Sequence, residues 1–223
     1  MEDTGIDPPD DPCFTARQQM VAEQIEGRDI TDPAVLAAMR VVPREQFVSG
    51  SYRQYAYDDA PLPIPANQTI SQPYIVAYMI AALRLSPAAR VLEIGAGSGY
   101  AAAVLSRIVR EVYTVERHYK LARQARDRLV RLGYDNVQVR HGDGTRGWPE
   151  HAPYDGIIVA AGGPAVPDSL RAQLAAGGRL IMPIGSSRNR QHLVLITRRD
   201  DDHYDDEMLV PVAFVPLIGD EGW

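Results

Sequence analysis

The feature that most constrains the fold is a glycine-rich loop that joins a short hydrophobic strand pattern to a helical one. In "VLEIGAGSGY", Gly95, Gly97 and Gly99 directly follow the apolar run of residues 90–94 and precede a helical segment that begins near Tyr100. In an open α/β sheet a ligand binds where a strand end meets such a loop, because glycine lets the backbone approach the ligand closely. Tyr100 occupies the position of a dinucleotide fold's third glycine, which weakens a nicotinamide or flavin interpretation.

Short β-branched runs recur through the second half of the chain, and helical segments separate most of them. This alternation predicts a doubly wound, mostly parallel sheet. Two further apolar runs, "QHLVLITR" and "MLVPVAFV", flank the acidic turn "DDDHYDD" and predict an antiparallel C-terminal hairpin that closes the sheet edge. The predicted fold is therefore α/β, with a seven-stranded Rossmann-like sheet whose first five strands lie at residues 90–94, 111–115, 136–140, 154–160 and 179–184.

Amphipathic helices and a proline-rich segment precede the sheet. Helical spacing of apolar residues predicts helices over 14–28, after Thr31-Asp32-Pro33, and over 74–85. The segment "YDDAPLPIPANQTISQP" (residues 57–73, the strap) contains four prolines and predicts a rigid, non-helical conformation. We expect one domain at residues 14–223, made of the N-terminal helices and strap (14–86) and a Rossmann-like core (87–223), after a disordered acidic tail at 1–13.

Composition and charge argue against several classes of protein. A net charge of −6 without a dense basic stripe argues against nucleic-acid binding. No apolar run approaches the roughly 18 residues of a membrane span, and the first residues are acidic where a signal peptide is basic, so we expect a cytoplasmic protein without membrane association. We also expect a monomer. Cys13 is the single cysteine and cannot form an internal disulfide. The histidine spacing does not predict a metal site.

Carboxylates at consecutive strand ends indicate an adenosyl ligand. Glu116 follows the second strand, where a carboxylate can accept both hydroxyl protons of a ribose, and Asp143 in "HGDG" follows the third, where it can accept from an adenine amino group. Each alone is more often a surface carboxylate. Beside the glycine loop, however, Glu93, Glu116 and Asp143 together resemble the S-adenosylmethionine site of class I methyltransferases.

Longer motifs make this resemblance specific. "LPIPANQTISQPYIVAYM", "GDGTRGWPEHAPYDGIIV" and "FVPLIGDEGW" resemble the protein-L-isoaspartate O-methyltransferases, and the similarity runs from about Arg17 to Trp223. The resemblance implies methyl transfer from S-adenosyl-L-methionine to the free carboxylate of L-isoaspartyl residues in damaged proteins and peptides. The ester then forms a succinimide, which initiates repair, and S-adenosyl-L-homocysteine is the other product.

The resemblance also implies the residues of the site. Ser71 is the family's active-site serine, and we assign it to orienting the substrate carboxylate, because an ionised carboxylate needs no general base. Capping of the helix that follows is the alternative role for Ser71. The implied cofactor-binding residues are Gln68, Thr69, Ile70, Ser71, Glu93, Gly95, Gly97, Glu116, Arg117, Asp143 and Gly144, and the implied substrate-binding residues are Asp58, Pro63, Ile64, Thr69 and Ser71.

Departures from the family pattern leave other functions open. Pro65 and Asn67 stand where the family usually has glycine, which predicts a stiffer strap and a narrower substrate entrance. One alternative is methylation of an aspartate in a single dedicated peptide during natural-product tailoring. A second is a nucleic-acid methyltransferase, opposed by the acidic charge and by "VAAGG" at the fourth strand end. A third is a catalytically weak binding module of the same fold, against which Glu93, Glu116, Asp143 and Ser71 count.

Overall fold

A seven-stranded sheet forms the centre of the protein and a separate two-stranded hairpin lies outside it. A computed structural model describes residues 12–187, 190–200 and 203–223. Residues 1–11 of the predicted tail lie outside these ranges, whereas Pro12 and Cys13 belong to the first helix, which therefore begins two residues before the predicted Phe14. The strands are β1 (Leu62–Ile64), β2 (Gln68–Ile70), β3 (Arg90–Ile94), β4 (Glu111–Glu116), β5 (Val137–His141), β6 (Tyr154–Val159), β7 (Leu174–Ser187), β8 (Arg190–Arg198) and β9 (Tyr204–Val212).

The large sheet has the strand order β5-β4-β3-β6-β7-β8-β9. The pairs from β5 to β7 are parallel, while β7 with β8 and β8 with β9 are antiparallel, so β8 alone runs opposite to the other six. This confirms the predicted mostly parallel sheet with an antiparallel C-terminal hairpin. The chain reverses its direction of winding between β3 and β6, and a ligand site is expected beside the carboxyl ends of these strands.

Six α-helices occur in the described ranges, and the predicted helical segments are confirmed with one irregularity. The first continues from α helix into a π-helical turn at Val21–Ile25 and a 3₁₀ turn at Glu26–Arg28. The Asp32 carboxylate caps the second by accepting from the backbone N–H groups of Ala34 and Val35 at 2.9 and 3.1 Å. None of the described helices is both long and apolar enough to cross a membrane. The helices are α1 (Pro12–Met20), α2 (Pro33–Val41), α3 (Pro73–Leu83), α4 (Tyr100–Ser106), α5 (Tyr119–Arg131) and α6 (Asp168–Ala172).

The central strands β3, β4 and β6 are buried on both faces of the sheet, which explains their continuous apolar runs. Successive side chains of β3 point to opposite sides. Val91 packs into a cluster with the N-terminal helices, and Leu92 packs into a second cluster on the other face. Each strand end is therefore held between two packed layers, and this fixes the positions of the loops that follow.

The centre of the strap is a β-hairpin, which the sequence analysis did not predict because its prolines remove backbone donors. Strands β1 and β2 pair antiparallel, with Pro63 opposite Thr69. The turn between them places Ala66 and Asn67 in the left-handed region, with φ values of 62° and 54°. Asparagine tolerates this conformation better than most residues, but for alanine it is strained.

Candidate active site

A cavity of about 250 Å³ opens at the carboxyl ends of β3 and β4. It lies between the strap, the glycine loop and the segment that follows β9. Most of the residues predicted to bind a cofactor are brought together here. The lining comprises residues 68–72, 93–98, 115–118, 160–161 and 211–218, with Pro61, Ile75, Val76, Tyr100, Ala101 and Gly144.

The glycine loop forms one wall of this cavity with its backbone. Gly95 and Gly97 have φ values of 93° and 53°, a region that glycine adopts without steric cost. The N–H of Gly95 donates to the carbonyl of Val115 at 2.8 Å, which ties the loop to the neighbouring strand β4. The backbone is thus exposed to a ligand while its conformation stays fixed.

Glu116, the last residue of β4, faces the cavity with its carboxylate fixed at both oxygens. Oε2 accepts from the N–H of Gly97 at 2.9 Å, and Oε1 accepts from the N–H of His118 at 2.8 Å. Each carboxylate oxygen can accept a further hydrogen bond. The side chain is buried and can therefore bind a diol without first becoming ordered.

Glu93 lies deeper, within β3, and is 1% exposed. The hydroxyl of Thr114 donates to its carboxyl group at 2.5 Å. Burial raises the pKa of Glu93 to about 8; the nearby Glu116 carboxylate acts in the same direction, and the Thr114 hydrogen bond opposes them. The protonated form of Glu93 therefore dominates at neutral pH, so this wall of the cavity carries less negative charge than its two glutamates suggest.

Gln68, Thr69, Ile70 and Ser71 of the strap line the opposite side of the cavity. The backbone carbonyl of Ser71 accepts a hydrogen bond from Arg44 at 2.8 Å. Within the described ranges the hydroxyl of Ser71 makes no hydrogen bond, and the first turn of α3 has no side-chain cap. The capping role considered for Ser71 is therefore absent, and its hydroxyl is available to a ligand.

Four predicted site residues lie outside the cavity lining. Asp143 accepts three hydrogen bonds, from the N–H and hydroxyl of Thr145 to Oδ1 and from the N–H of Asp220 to Oδ2, at 2.8 to 2.9 Å. Burial alone would raise the pKa of Asp143, but these hydrogen bonds outweigh it and the pKa is lowered. Its role in the structure is to anchor the C-terminal segment. The other three belong to the strap: Asp58 and Pro63 are exposed, and Ile64 is buried.

The remaining predicted residues, Arg117 and Gly144, line the cavity. Arg117 is exposed at its rim, with Nη2 3.1 Å from Nε2 of His118. Gly144 follows Asp143 and is buried. Across residues 12–187, 190–200 and 203–223, no group of three or more His, Cys, Asp or Glu side chains is placed to hold a metal ion.

The C-terminal wall of the cavity, residues 211–218, was not predicted from the sequence. Gln191 holds this wall by donating to the carbonyl of Phe214 at 3.2 Å and accepting from its N–H at 2.8 Å. Gly162 makes three further hydrogen bonds to the segment. Its N–H donates to the carbonyl of Val215, and its carbonyl accepts from the N–H of Leu217 and from the indole N–H of Trp223. The motif "FVPLIGDEGW" marks this segment, but it contains no charged residue at the cavity that would have identified it as a wall.

Comparison with known proteins places the chain among carboxyl methyltransferases. The model of the family described as protein-L-isoaspartate(D-aspartate) O-methyltransferase matches residues 15–222. Protein-L-isoaspartate O-methyltransferase 2 of Pelobacter propionicus is 63% identical over 207 residues, which cover 93% of this chain and 92% of that relative. Protein-L-isoaspartate O-methyltransferase 1 of Rhodopseudomonas palustris is 61% identical over 207 residues, covering 93% of this chain and 84% of that relative.

Solved structures show the same similarity. A protein-L-isoaspartate O-methyltransferase superposes with a TM-score of 0.84 at 33% identity, covering 92% of this chain and 67% of that one. A Plasmodium falciparum protein-L-isoaspartate O-methyltransferase, solved in complex with S-adenosyl-L-homocysteine, has a TM-score of 0.77 at 26% identity and is covered over 98% of its length by 91% of this chain. Both similarities extend well beyond the nucleotide-binding part of the sheet.

Proposed function

The chain belongs to the protein-L-isoaspartate(D-aspartate) O-methyltransferase family, and from this membership and its cavity we infer its reaction. It is a carboxyl methyltransferase that uses S-adenosylmethionine to methylate the free carboxylate of L-isoaspartyl residues in damaged proteins and peptides. The observation that carries this function is the family match over residues 15–222, which includes the strap as well as the nucleotide-binding loop. Relatives that carry the isoaspartate name match over most of their own length, which favours repair over a dedicated peptide.

The residues present fit S-adenosylmethionine. The fixed Glu116 carboxylate has acceptor capacity left for the two ribose hydroxyls, and the exposed backbone of the glycine loop permits close approach of the ligand. When bound, S-adenosylmethionine supplies the methyl group, carried on its sulfonium sulfur, that is transferred. We assign Gln68, Thr69 and Ile70 to the side of the cavity that covers this ligand, and Arg117 to its rim.

The chain's own contribution to the reaction is positioning. An ionised substrate carboxylate is itself the nucleophile, so the rate depends on alignment of its oxygen with the methyl carbon and the sulfur. We assign the Ser71 hydroxyl to donating one hydrogen bond to this carboxylate, with Thr69 beside it. A single neutral donor orients the carboxylate without removing much of its electron density.

We assign Asp143 a structural role beside the one that the sequence suggested. Its carboxylate accepts from the loop and from the C-terminal segment and so holds the cavity wall, while Oδ2, which accepts only from the N–H of Asp220, keeps acceptor capacity for the predicted contact with the adenine amino group. Asp58 and Pro63 remain candidates for contact with the peptide outside the cavity. Ile64 supports the glycine loop, because its Cδ1 lies 3.3 Å from the position that a Cβ on Gly97 would occupy. The monomeric state and cytoplasmic location remain predictions.

The test is transfer of labelled methyl from S-adenosylmethionine to two short peptides that differ only in an isoaspartyl or a normal aspartyl residue. Base-labile label on the isoaspartyl peptide alone is the expected result. Ser71→Ala is expected to lower kcat/KM for that peptide about tenfold or more with unchanged cofactor affinity. Ser51→Ala, an exposed serine outside the cavity, is the control. Label on neither peptide despite tight cofactor binding would contradict the proposed substrate.

A further inference from the structure

Arg44 is a charged side chain with 0% exposure, buried between the N-terminal helices and the strap. Its Nε donates to the carbonyl of Ala56 at 2.7 Å and its Nη2 to the carbonyl of Ser71 at 2.8 Å. Its guanidinium carbon lies 4.8 Å from the ring centroid of Tyr100. Among the described residues no carboxylate pairs with it, and both of its hydrogen bonds go to backbone.

The two carbonyls lie near the two ends of the strap. Ala56 immediately precedes the strap, and Ser71 is the residue that follows strand β2. One guanidinium therefore joins the two ends of the strap. The first end has further contacts with the N-terminal helices, through Tyr57 and Asp59, whereas Arg44 also reaches Ser71 at the other end. Its planar fork of N–H donors holds both carbonyls in one fixed relative geometry, which a lysine ammonium cannot reproduce.

This arrangement is unfavourable as a purely structural device. Burial lowers the pKa of Arg44, so its charged form is destabilised, and its Nη1 is buried without a partner among the described residues. Even a buried ion pair can often be replaced by apolar groups of similar volume without loss of stability, so a buried charge is not in itself evidence of a stabilising role. What the guanidinium adds over an apolar residue is the placement of the two carbonyls.

We propose that Arg44 is a positioning residue for methyl transfer, which fixes the peptide plane after Ser71 and thereby the direction of the Ser71 side chain. The inference rests on the proposed role of Ser71. The ring of Tyr100, which lines the cavity beneath the guanidinium, joins this support to the start of α4. Loss of the two guanidinium hydrogen bonds lets Ser71 move relative to the glycine loop. A displacement of about 1 Å is enough to lower the rate of methyl transfer about a hundredfold.

The experiment uses Arg44→Lys, which keeps the charge, and Arg44→Met, which removes the desolvated charge and keeps the volume in case the lysine variant does not fold. Both are expected to lower kcat/KM for the isoaspartyl peptide about tenfold to a hundredfold. Affinity for S-adenosylhomocysteine is expected to change by less than about threefold, because the strap only covers this ligand, whereas Glu116 and the glycine loop, which are assigned to holding it, are untouched. The control is Arg179→Lys, another arginine that donates to a backbone carbonyl, that of Ala82 at 3.0 Å, outside the cavity.

A double-mutant cycle separates positioning from general stability. If Arg44 acts through Ser71, Arg44→Lys costs much less activity in a Ser71→Ala background than in the wild type. Multiplicative losses in the double variant, or cofactor affinity that falls in parallel with kcat/KM, would overturn the proposal.

Amide hydrogen exchange of residues 57–71 provides a readout that does not depend on catalysis. Faster exchange of this segment in Arg44→Lys, but not in Arg179→Lys, is the expected result, and unchanged exchange would also overturn the proposal. If the wild type methylates the isoaspartyl peptide but Ser71→Ala retains full activity, the role of Ser71 has failed. In that case the activity measurements no longer test Arg44, and only the amide exchange of residues 57–71 tests whether Arg44 holds the strap.

Discussion

The backbone N–H of Gly97 donates to Oε2 of Glu116 at 2.9 Å, so that one side chain joins the glycine loop to the end of the neighbouring strand. The same carboxylate accepts from the N–H of His118 through its other oxygen. Because both oxygens are fixed within the protein, the orientation of the carboxylate is set before any ligand binds. The proposed site for the ribose is therefore preorganised, which lowers the entropy cost of binding.

Glu116→Gln is expected to weaken binding of S-adenosylhomocysteine about tenfold to thirtyfold. The amide nitrogen of glutamine cannot accept from Gly97 or His118, so one fixed hydrogen bond is lost along with the charge, at a cost of about 1.5–2 kcal/mol. Isothermal titration calorimetry measures the effect. Glu111→Gln, at the opposite end of β4 and paired with Arg90, is the matched control. An affinity within twofold of wild type would contradict this role.

Glu93 predicts a pH dependence of stability in the ligand-free protein. Its pKa of about 8, against an ordinary 4.5, means that the folded state keeps a proton that the unfolded chain loses. Its contribution is complete below pH 4.5 and is lost as the pH rises to 8, with a slope of up to about 1.4 kcal/mol per pH unit. Above that pH both states are ionised and the slope ends.

Glu93→Gln removes this titration and keeps an acceptor for Thr114. We expect a flatter free energy of unfolding between pH 5 and 8 and a more stable protein at the upper end, measured by urea denaturation at several pH values. Glu207→Gln, an exposed glutamate, is expected to retain the wild-type slope. An unchanged slope in Glu93→Gln would show that another group causes the dependence.

Asp143→Asn is expected to loosen the C-terminal wall. One amide oxygen cannot replace a carboxylate that accepts at both ends, so either the Thr145 or the Asp220 contact is lost. The expected cost is about 1–2 kcal/mol of stability. Faster amide exchange of residues 217–223 is the specific measurement, with the exposed Asp127→Asn as control. Unaltered exchange there would refute the anchoring role.

Ala66→Gly is expected to stabilise the protein. Ala66 has a φ of 62°, which costs an alanine about 1–2 kcal/mol, and the greater flexibility of unfolded glycine offsets roughly half of that gain. A rise in Tm is the expected result. Ala37→Gly, on the exposed side of helix α2, should instead lower stability by about 1 kcal/mol. Equal destabilisation by both substitutions would show that the hairpin turn is unstrained.

The sheet could be predicted from the sequence because its central strands are buried on both faces and give unbroken apolar runs, as at β3. Glu116 could be predicted because a carboxylate at that strand end has a specific task beside a glycine loop. The strap hairpin could not, since Pro63 and Pro65 obscure its pairing. The contact between Asp143 and the C-terminal segment could not be predicted, because its partner Asp220 lies more than 70 residues away in the sequence.

The burial of Arg44 could not be predicted from the sequence either. A single arginine in "VVPREQFV" reads as an exposed charge, and only the tertiary structure shows that it is buried against the carbonyls of Ala56 and Ser71. Every residue carries a backbone carbonyl, so the sequence does not show which carbonyl an arginine side chain will contact. Contacts of this kind are therefore found from structure alone.

The most direct test of the account is a crystal structure of the protein with S-adenosylhomocysteine and an isoaspartyl peptide. We predict that the ribose hydroxyls bind Glu116 and that Oγ of Ser71 lies within about 3.0 Å of the substrate carboxylate. The carboxylate would then face the position of the transferred methyl group, between the strap and the glycine loop. A peptide carboxylate held by other side chains, with the Ser71 hydroxyl directed away from it, would contradict the central claim that the strap positions the substrate.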